Sequence, residues 1–222
     1  NAQLVFFNSD WALEETKNAY CLSGKNFINI GFGGFIEIPK QDTYKEGFNF
    51  LFISREFIPK GGMVVAQAII EVRKIYPEAN VWVVGAKPPE VILANEAIIY
   101  KGFFRKSVLD ECKTLKDIFS QSFCLVHPTL KDINPLVINE LSYFGCPAIA
   151  TNRFAIPEFV IPKKSGLLIE NPNDYLEVAD KMCFMIENQK EYSQMREFTR
   201  QNALENNTWA KVGDRFEKLI KA

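Results

Sequence analysis

Phe48-Asn49-Phe50-Leu51-Phe52-Ile53-Ser54-Arg55-Glu56-Phe57-Ile58-Pro59-Lys60-Gly61-Gly62 is the stretch that decides the fold. From Phe48 to Ser54 it reads as a strand. Gly61-Gly62 then opens a helix whose Val65, Ala68, Ile69, Val72 and Ile75 share one face, ending before Pro77. Val81 to Gly85 is a continuous apolar run suited to a second strand, parallel and covered on both sides. Ile98 to Gly102 gives a third, followed by a helix that Ser107 is placed to cap, with Val108, Cys112, Leu115 and Phe119 at helical spacing. Phe123 to His127, Pro135 to Phe144 and Pro147 to Thr151 repeat the order strand, helix, strand. This alternation predicts a doubly wound α/β fold with a parallel sheet.

Outward from that unit the pattern changes on both sides. After Gly166-Leu167-Leu168-Ile169 come three helical stretches, Asp174 to Glu187, Lys190 to Leu204 and Thr208 to Lys221, which form a helical tail. Upstream, Leu4 to Phe7 reads as a strand feeding a helix from Trp11 to Tyr20, with Phe27 to Ile30 as a further strand. From Gly31 to Gly47 the text of glycine, Pro39 and mixed charge reads as a linker. The division expected is therefore 1–46 as a piece of another domain plus linker, and 47–222 as the main domain. The chain starts at Asn1, not Met, which reads as a piece of a longer protein or a processed one.

Composition excludes several classes. With 47% hydrophobic and 24% charged residues in 222, the chain can bury a full core and is neither disordered nor fibrous. Lys and Arg number 26 against 27 Asp and Glu, so no bulk field draws it to nucleic acid or an anionic membrane. An anion site must be local. Five cysteines without a paired spacing fit a reduced, cytosolic compartment. The longest uncharged stretches, Ile118 to Leu130 and Leu141 to Asn152, are too short to span a bilayer.

In an open α/β sheet, ligands bind beyond the carboxyl ends of the strands, so the residues after each strand are the ones to weigh. Arg55, Lys60, Gly61 and Gly62 put a guanidinium, an ammonium and a helix start in one loop, a combination suited to a diphosphate. A solvated loop with a glycine turn reads the same residues equally well. Asp132 and Glu140 lie seven residues apart around a second strand-to-helix junction, where Asn134 is placed to cap and Pro135 to begin the helix. Glu140 has Leu136, Val137, Tyr143 and Phe144 as helical neighbours, so its carboxylate needs partners. The vicinal hydroxyls of a ribose would serve, and so would an interhelical salt bridge. Glu158, after Pro157, reads as a first-turn acid favouring its own helix dipole. His127 reads as a structural strand-end residue. Gly31-Phe32-Gly33-Gly34-Phe35-Ile36 lacks the third glycine of a dinucleotide fingerprint and runs into a linker, no Walker loop is present, and no Asp-x-Asp stands ready to hold a diphosphate through a metal.

Taken in order, these pieces resemble the donor-binding C-terminal domain of retaining GT-B glycosyltransferases, the "glycosyl transferase group 1" or family 4 type. Arg55 and Lys60-Gly61 match the family's diphosphate loop, Pro128-Thr129 and Asp132 to Glu140 its Glu-x7-Glu motif, and Gly145 to Asn152 and Ile156-Pro157-Glu158 its later segments. Trp209 near the last helix is also similar. The resemblance implies a Rossmann-like GT-B C-terminal domain that binds a nucleotide diphosphate sugar and moves the sugar to a hydroxyl acceptor, a glycan or glycolipid, with retention. It implies that Arg55, Lys60 and Asp132 are the catalytic groups. Arg55, Lys60 and Gly61 would grip the diphosphate, amides near Leu136 and Val137 would meet the phosphates, Asp132 would face the donor sugar and Glu140 would hold the ribose. No metal and no cofactor is implied. The same resemblance implies a role in cell-surface polysaccharide or glycolipid synthesis, in the cytoplasm, with peripheral contact at the inner face of a membrane left to a full-length enzyme. The acceptor site would belong to an N-terminal domain of which residues 1–46 are a remnant.

The chain departs from the family at Asp132, which shortens the first acid, at Ile133-Asn134-Pro135, which replaces Gly-Phe-Gly, and at Arg153-Phe154-Ala155, which replaces a glycine-rich turn. A nucleotide-binding module without transfer activity, and an epimerase or phosphorylase of the same architecture, are the alternatives.

Overall fold

The computed structural model describes residues 2–221. Two strands and a helix come first: β1 (Val5–Phe7), α1 (Asp10–Ala19) and β2 (Phe27–Asn29), the strands pairing in parallel as a sheet of their own. The main unit follows as β3 (Asn49–Ser54), α2 (Gly62–Arg73), β4 (Asn80–Gly85), α3 (Glu90–Leu93), β5 (Ile98–Gly102), α4 (Leu109–Gln121), β6 (Cys124–His127), α5 (Leu136–Ser142), β7 (Ala148–Thr151), α6 (Ile156–Phe159) and β8 (Gly166–Ile169). The tail is α7 (Tyr175–Glu187), α8 (Gln189–Asn206) and α9 (Trp209–Ile220).

The six main strands are all parallel and run β5-β4-β3-β6-β7-β8 across the sheet. This is the Rossmann-like doubly wound order, and it reverses between β3 and β6, where the loops after the two strands open a crevice. Both faces are covered, as the uniformly apolar strands required. Phe50 and Phe52 of β3 pack with α2, α7 and part of α8, while Leu51 packs on the other face with α4 and α5.

The sequence boundaries hold for the strands and tail helices, and four local expectations change. Ser107 does not cap α4: Val108 stands extended before the helix and no side chain caps it. Pro135 is likewise extended rather than helical, so α5 begins at Leu136, and the Asn134 amide instead donates to Asn8 Oδ1 at 2.7 Å. Glu158 accepts the amides of Asp10 (2.9 Å) and Trp11 (2.7 Å), so it compensates the N-terminal dipole of α1 more directly than that of its own one-turn helix. The stretch read as a linker is tightly packed over its first half. Phe32 and Ile36 are buried, and a Cβ on Gly33 would lie 2.4 Å from the Trp209 amide nitrogen. In α9, Phe216 rests on Phe6 of β1 at 5.2 Å between ring centroids, so the first residues cover part of that helix's apolar face.

Candidate functional site

The loop after β3 and the loop after β6 meet through a glycine. Gly61 has φ +86°, which a residue with a side chain rarely adopts, and a Cβ there would lie 2.2 Å from the Pro128 carbonyl oxygen. Gly62 is hemmed in by the Phe57 ring at 2.6 Å from its would-be Cβ. Protein packing therefore accounts for both glycines, which the sequence had suggested were there for a ligand's approach. The contact brings Lys60 over the second loop, where its Nζ donates to the Lys131 carbonyl and to Asp132 Oδ2 at 3.0 Å. His127 Nε2 lies 3.3 Å from the same Oδ2. Thr151 Oγ1 donates to the Thr129 carbonyl at 3.0 Å, fixing the loop's start to the end of β7.

Burial by itself would raise the Asp132 carboxyl. Hydrogen bonds and charge from His127 and Lys60 outweigh it and hold the group below its ordinary value.

Beside this cluster lies a cleft of about 530 Å³, bordered by Arg55, Gly85, Phe104, Lys106, Val137 and Glu140. It opens at the carboxyl ends of β3 and β4, on the crevice side of the sheet. Glu140, in the second turn of α5, is 2% exposed and is not orphaned: its Oε1 accepts the Phe35 amide at 2.9 Å and is paired with the Lys106 ammonium. The salt bridge weighed from sequence is thus present, although its partner comes from the segment before α4. Gly34 allows the approach, since a Cβ there would meet the Glu140 side chain at 2.7 Å. Arg55 makes no ion pair or side-chain hydrogen bond among the described residues.

The structure gathers Arg55, Leu136, Val137 and Glu140 around the cleft, and Lys60, Gly61 and Asp132 into the adjoining cluster outside its lining. Lys106 and His127 are the members that sequence reasoning missed. Nothing in the chain text signals that Lys106 meets an acid 34 residues on. For His127 the signal existed: a histidine five residues before an acid across a strand end. A larger hollow of about 760 Å³ lies between the Asp42–Lys45 segment and α8, but no site residue borders it and it is remote from the strand ends that converge on the crevice. Among the described residues no group of three or more His, Cys, Asp or Glu side chains could hold a metal ion. No described helix is long and apolar enough to cross a membrane.

A cleft at the switch point of a Rossmann-like sheet, edged by cations, stands where open α/β domains bind their ligands. The chain belongs to the family described as Glycosyl transferases group 1, which matches residues 47–188. Solved structures similar to it share the GT-B fold of glycosyltransferases. They include S. aureus TarM in complex with fondaparinux, α-GlcNAc-glycerol and UDP (TM-score 0.78, 16% identity, covering 99% of this chain and 44% of that one). A glycosyltransferase from Rickettsia africae aligns with TM-score 0.79 and 15% identity over 99% of this chain and 63% of its own. Anabaena HepE in complex with UDP and glucose aligns with TM-score 0.76 and 15% identity over 100% and 63%. The chain thus spans between 44% and 63% of these structures. Comparison with curated proteins gives no match.

Proposed function

We propose that residues 47–222 form the donor half of a retaining glycosyltransferase, which binds a nucleotide diphosphate sugar for transfer to a hydroxyl acceptor. The observation that carries this reading is the cleft at the β3/β6 crevice, with Arg55 on one side and the buried Glu140 on the other. The leaving diphosphate needs its growing charge stabilised, and preorganised cations beside it do so without a metal. Arg55 has all its donors available. Lys60 has three N–H donors, of which the protein occupies two, so one remains for a phosphate oxygen. No side chain caps α5, which leaves the amides at Leu136 and Val137 without a side-chain acceptor. Both bonds made by Glu140 fall on Oε1, and Oε2 is the oxygen offered to a ribose hydroxyl.

In this reading residues 1–46 belong to the acceptor-binding domain, and their separate two-stranded sheet supports the division. The acceptor is a glycan or glycolipid hydroxyl, the setting is cell-surface polysaccharide or glycolipid synthesis, and the five free cysteines fit a reducing compartment. Positioning donor and acceptor together supplies much of such a rate enhancement. The 222-residue chain is accordingly expected to bind nucleotide and transfer no sugar alone. A nucleotide-binding module without activity is the second reading, favoured by Pro135, which lacks the amide that glycine would supply at the start of α5. Transfer of radiolabelled sugar by the full-length protein, absent in its Arg55→Ala and Lys60→Ala variants, separates the two. Nucleotide binding with no transfer by the full-length protein would favour the second.

A further inference from the structure

His127 ends β6, pairs in register with Ala150 of β7 and is 2% exposed, so the sheet fixes the place of its ring. Its Nε2 faces Asp132 Oδ2 at 3.3 Å, whereas its Nδ1 is buried with no hydrogen-bond partner among the described residues. An ionised carboxylate only accepts, so Nε2 carries the proton. The ring therefore faces Asp132 as an Nε2–H donor, beside the Lys60 ammonium that holds the same oxygen.

Both side-chain donors converge on one oxygen. Asp132 Oδ1 has no protein partner among the described residues, and the Asp132 side chain remains 23% exposed. Lys60 alone would hold the carboxylate poorly, because an ammonium on a flexible four-carbon stem attracts without fixing direction. The imidazole, locked in the sheet end, supplies direction. The need for it is local: Asp132 lies in a loop, before α5, with no helix to orient it.

We propose that His127 is a positioning residue, which with Lys60 pins Asp132 Oδ2 and so aims Oδ1 at a hydroxyl of the donor sugar. This rests on the reading of the crevice as a donor site. It gives the short acid of this chain a fixed direction through a strand-end histidine, a role beyond the structural one its burial alone would suggest.

Three measurements on the full 222-residue chain test it, each with its own way to fail. Nitrogen-15 ring shifts of His127 are expected to show a proton on Nε2, and a ring protonated at Nδ1 alone overturns the proposal. Carbon-13 titration of the Asp132 carboxyl compares His127→Gln, whose amide can place an N–H near the position of Nε2, with His127→Leu, which cannot. The expected result is a carboxyl still depressed in H127Q and raised in H127L, and equal values in the two overturn the proposal. Calorimetry with UDP, GDP and ADP, and with the glucose adduct of each, reads the affinity that the sugar adds. That sugar-dependent ratio is expected to fall about tenfold or more in H127L, the worth of one charge-assisted hydrogen bond, and to be restored within about threefold in H127Q. A ratio unchanged in H127L overturns the positioning role while leaving the donor-site reading standing. If no diphosphate binds the parent chain, the donor-site reading falls and the positioning role with it, whatever the ring and carboxyl show.

Discussion

Two ion pairs in this chain share their chemistry and differ in how completely they are satisfied. Arg196 of α8 donates to Asp42 through Nε (2.8 Å) and Nη2 (2.7 Å), and also to the carbonyls of Ser122 and Phe144 and the Tyr192 hydroxyl. All five of its N–H donors are engaged. Gly145 makes room, since a Cβ there would lie 2.7 Å from Asp42 Oδ2. Burial would lower the Arg196 guanidinium, but the Asp42 bond and neighbouring charge carry it above its ordinary value. The Lys60 and Asp132 pair, by contrast, keeps one ammonium donor and one carboxylate oxygen free and touches a histidine with a bare nitrogen. A saturated pair ties the end of the linker to the domain. An unsaturated one stands at the crevice with a donor and an acceptor to spare.

The largest effect expected from this contrast is on stability at the saturated pair. Asp42→Ala leaves a buried guanidinium without its counter-ion and is expected to cost about 3–5 kcal/mol in denaturant unfolding. A loss under about 1 kcal/mol would show that the clamp is only a surface contact. The second effect is on binding at the open pair. Lys60→Ala should weaken a nucleoside diphosphate by about 2 kcal/mol or more while leaving the nucleoside nearly unchanged. Equal loss for both in calorimetry would remove Lys60 from the diphosphate.

A smaller effect is expected at Glu140. Glu140→Gln keeps the shape and removes the charge, so the preference for a ribose nucleotide over its 2′-deoxy analogue should fall by about 1 kcal/mol, measured as a difference of binding constants. If the variant discriminates as well as the parent while unfolding more easily, Glu140 serves Phe35 and Lys106 alone. The smallest effect is on pH dependence. Asp132 is depressed in the folded chain, so its contribution to stability is fully present above the unfolded value, near 3.8, and is lost as pH falls through the folded one. Unfolding between pH 2 and 5 should therefore show an acid limb that Asp132→Asn reduces, and an identical limb in the variant would mean that the pair is not formed in solution.

What the sequence disclosed follows from which forces act locally. Strands β3, β4 and β6 were legible as short apolar runs between helices, whereas their order across the sheet, and with it the place of the crevice, came from the structure alone. Short α3 was not legible, being a single turn after Pro88-Pro89, too short for a helical period to show. The caps proposed at Ser107 and Asn134 failed because an extended residue, Val108 or Pro135, stands between each of them and its helix. At the site, Arg55, Glu140 and the α5 start were readable as strand-end residues. Lys106, the partner of Glu140, is fixed by packing across 34 residues that a local pattern does not carry, whereas His127 stands only five residues before Asp132.

The central claim is that the β3/β6 crevice binds the diphosphate of a nucleotide sugar. Isothermal calorimetry of the 222-residue chain with uridine, guanosine, adenosine and cytidine and their 5′-diphosphates tests it most directly. The expected result is one-to-one binding of at least one diphosphate, about tenfold or more tighter than its nucleoside, with that advantage lost in Arg55→Ala and Lys60→Ala. Binding of no diphosphate, or equal affinity for nucleoside and diphosphate, would contradict the account.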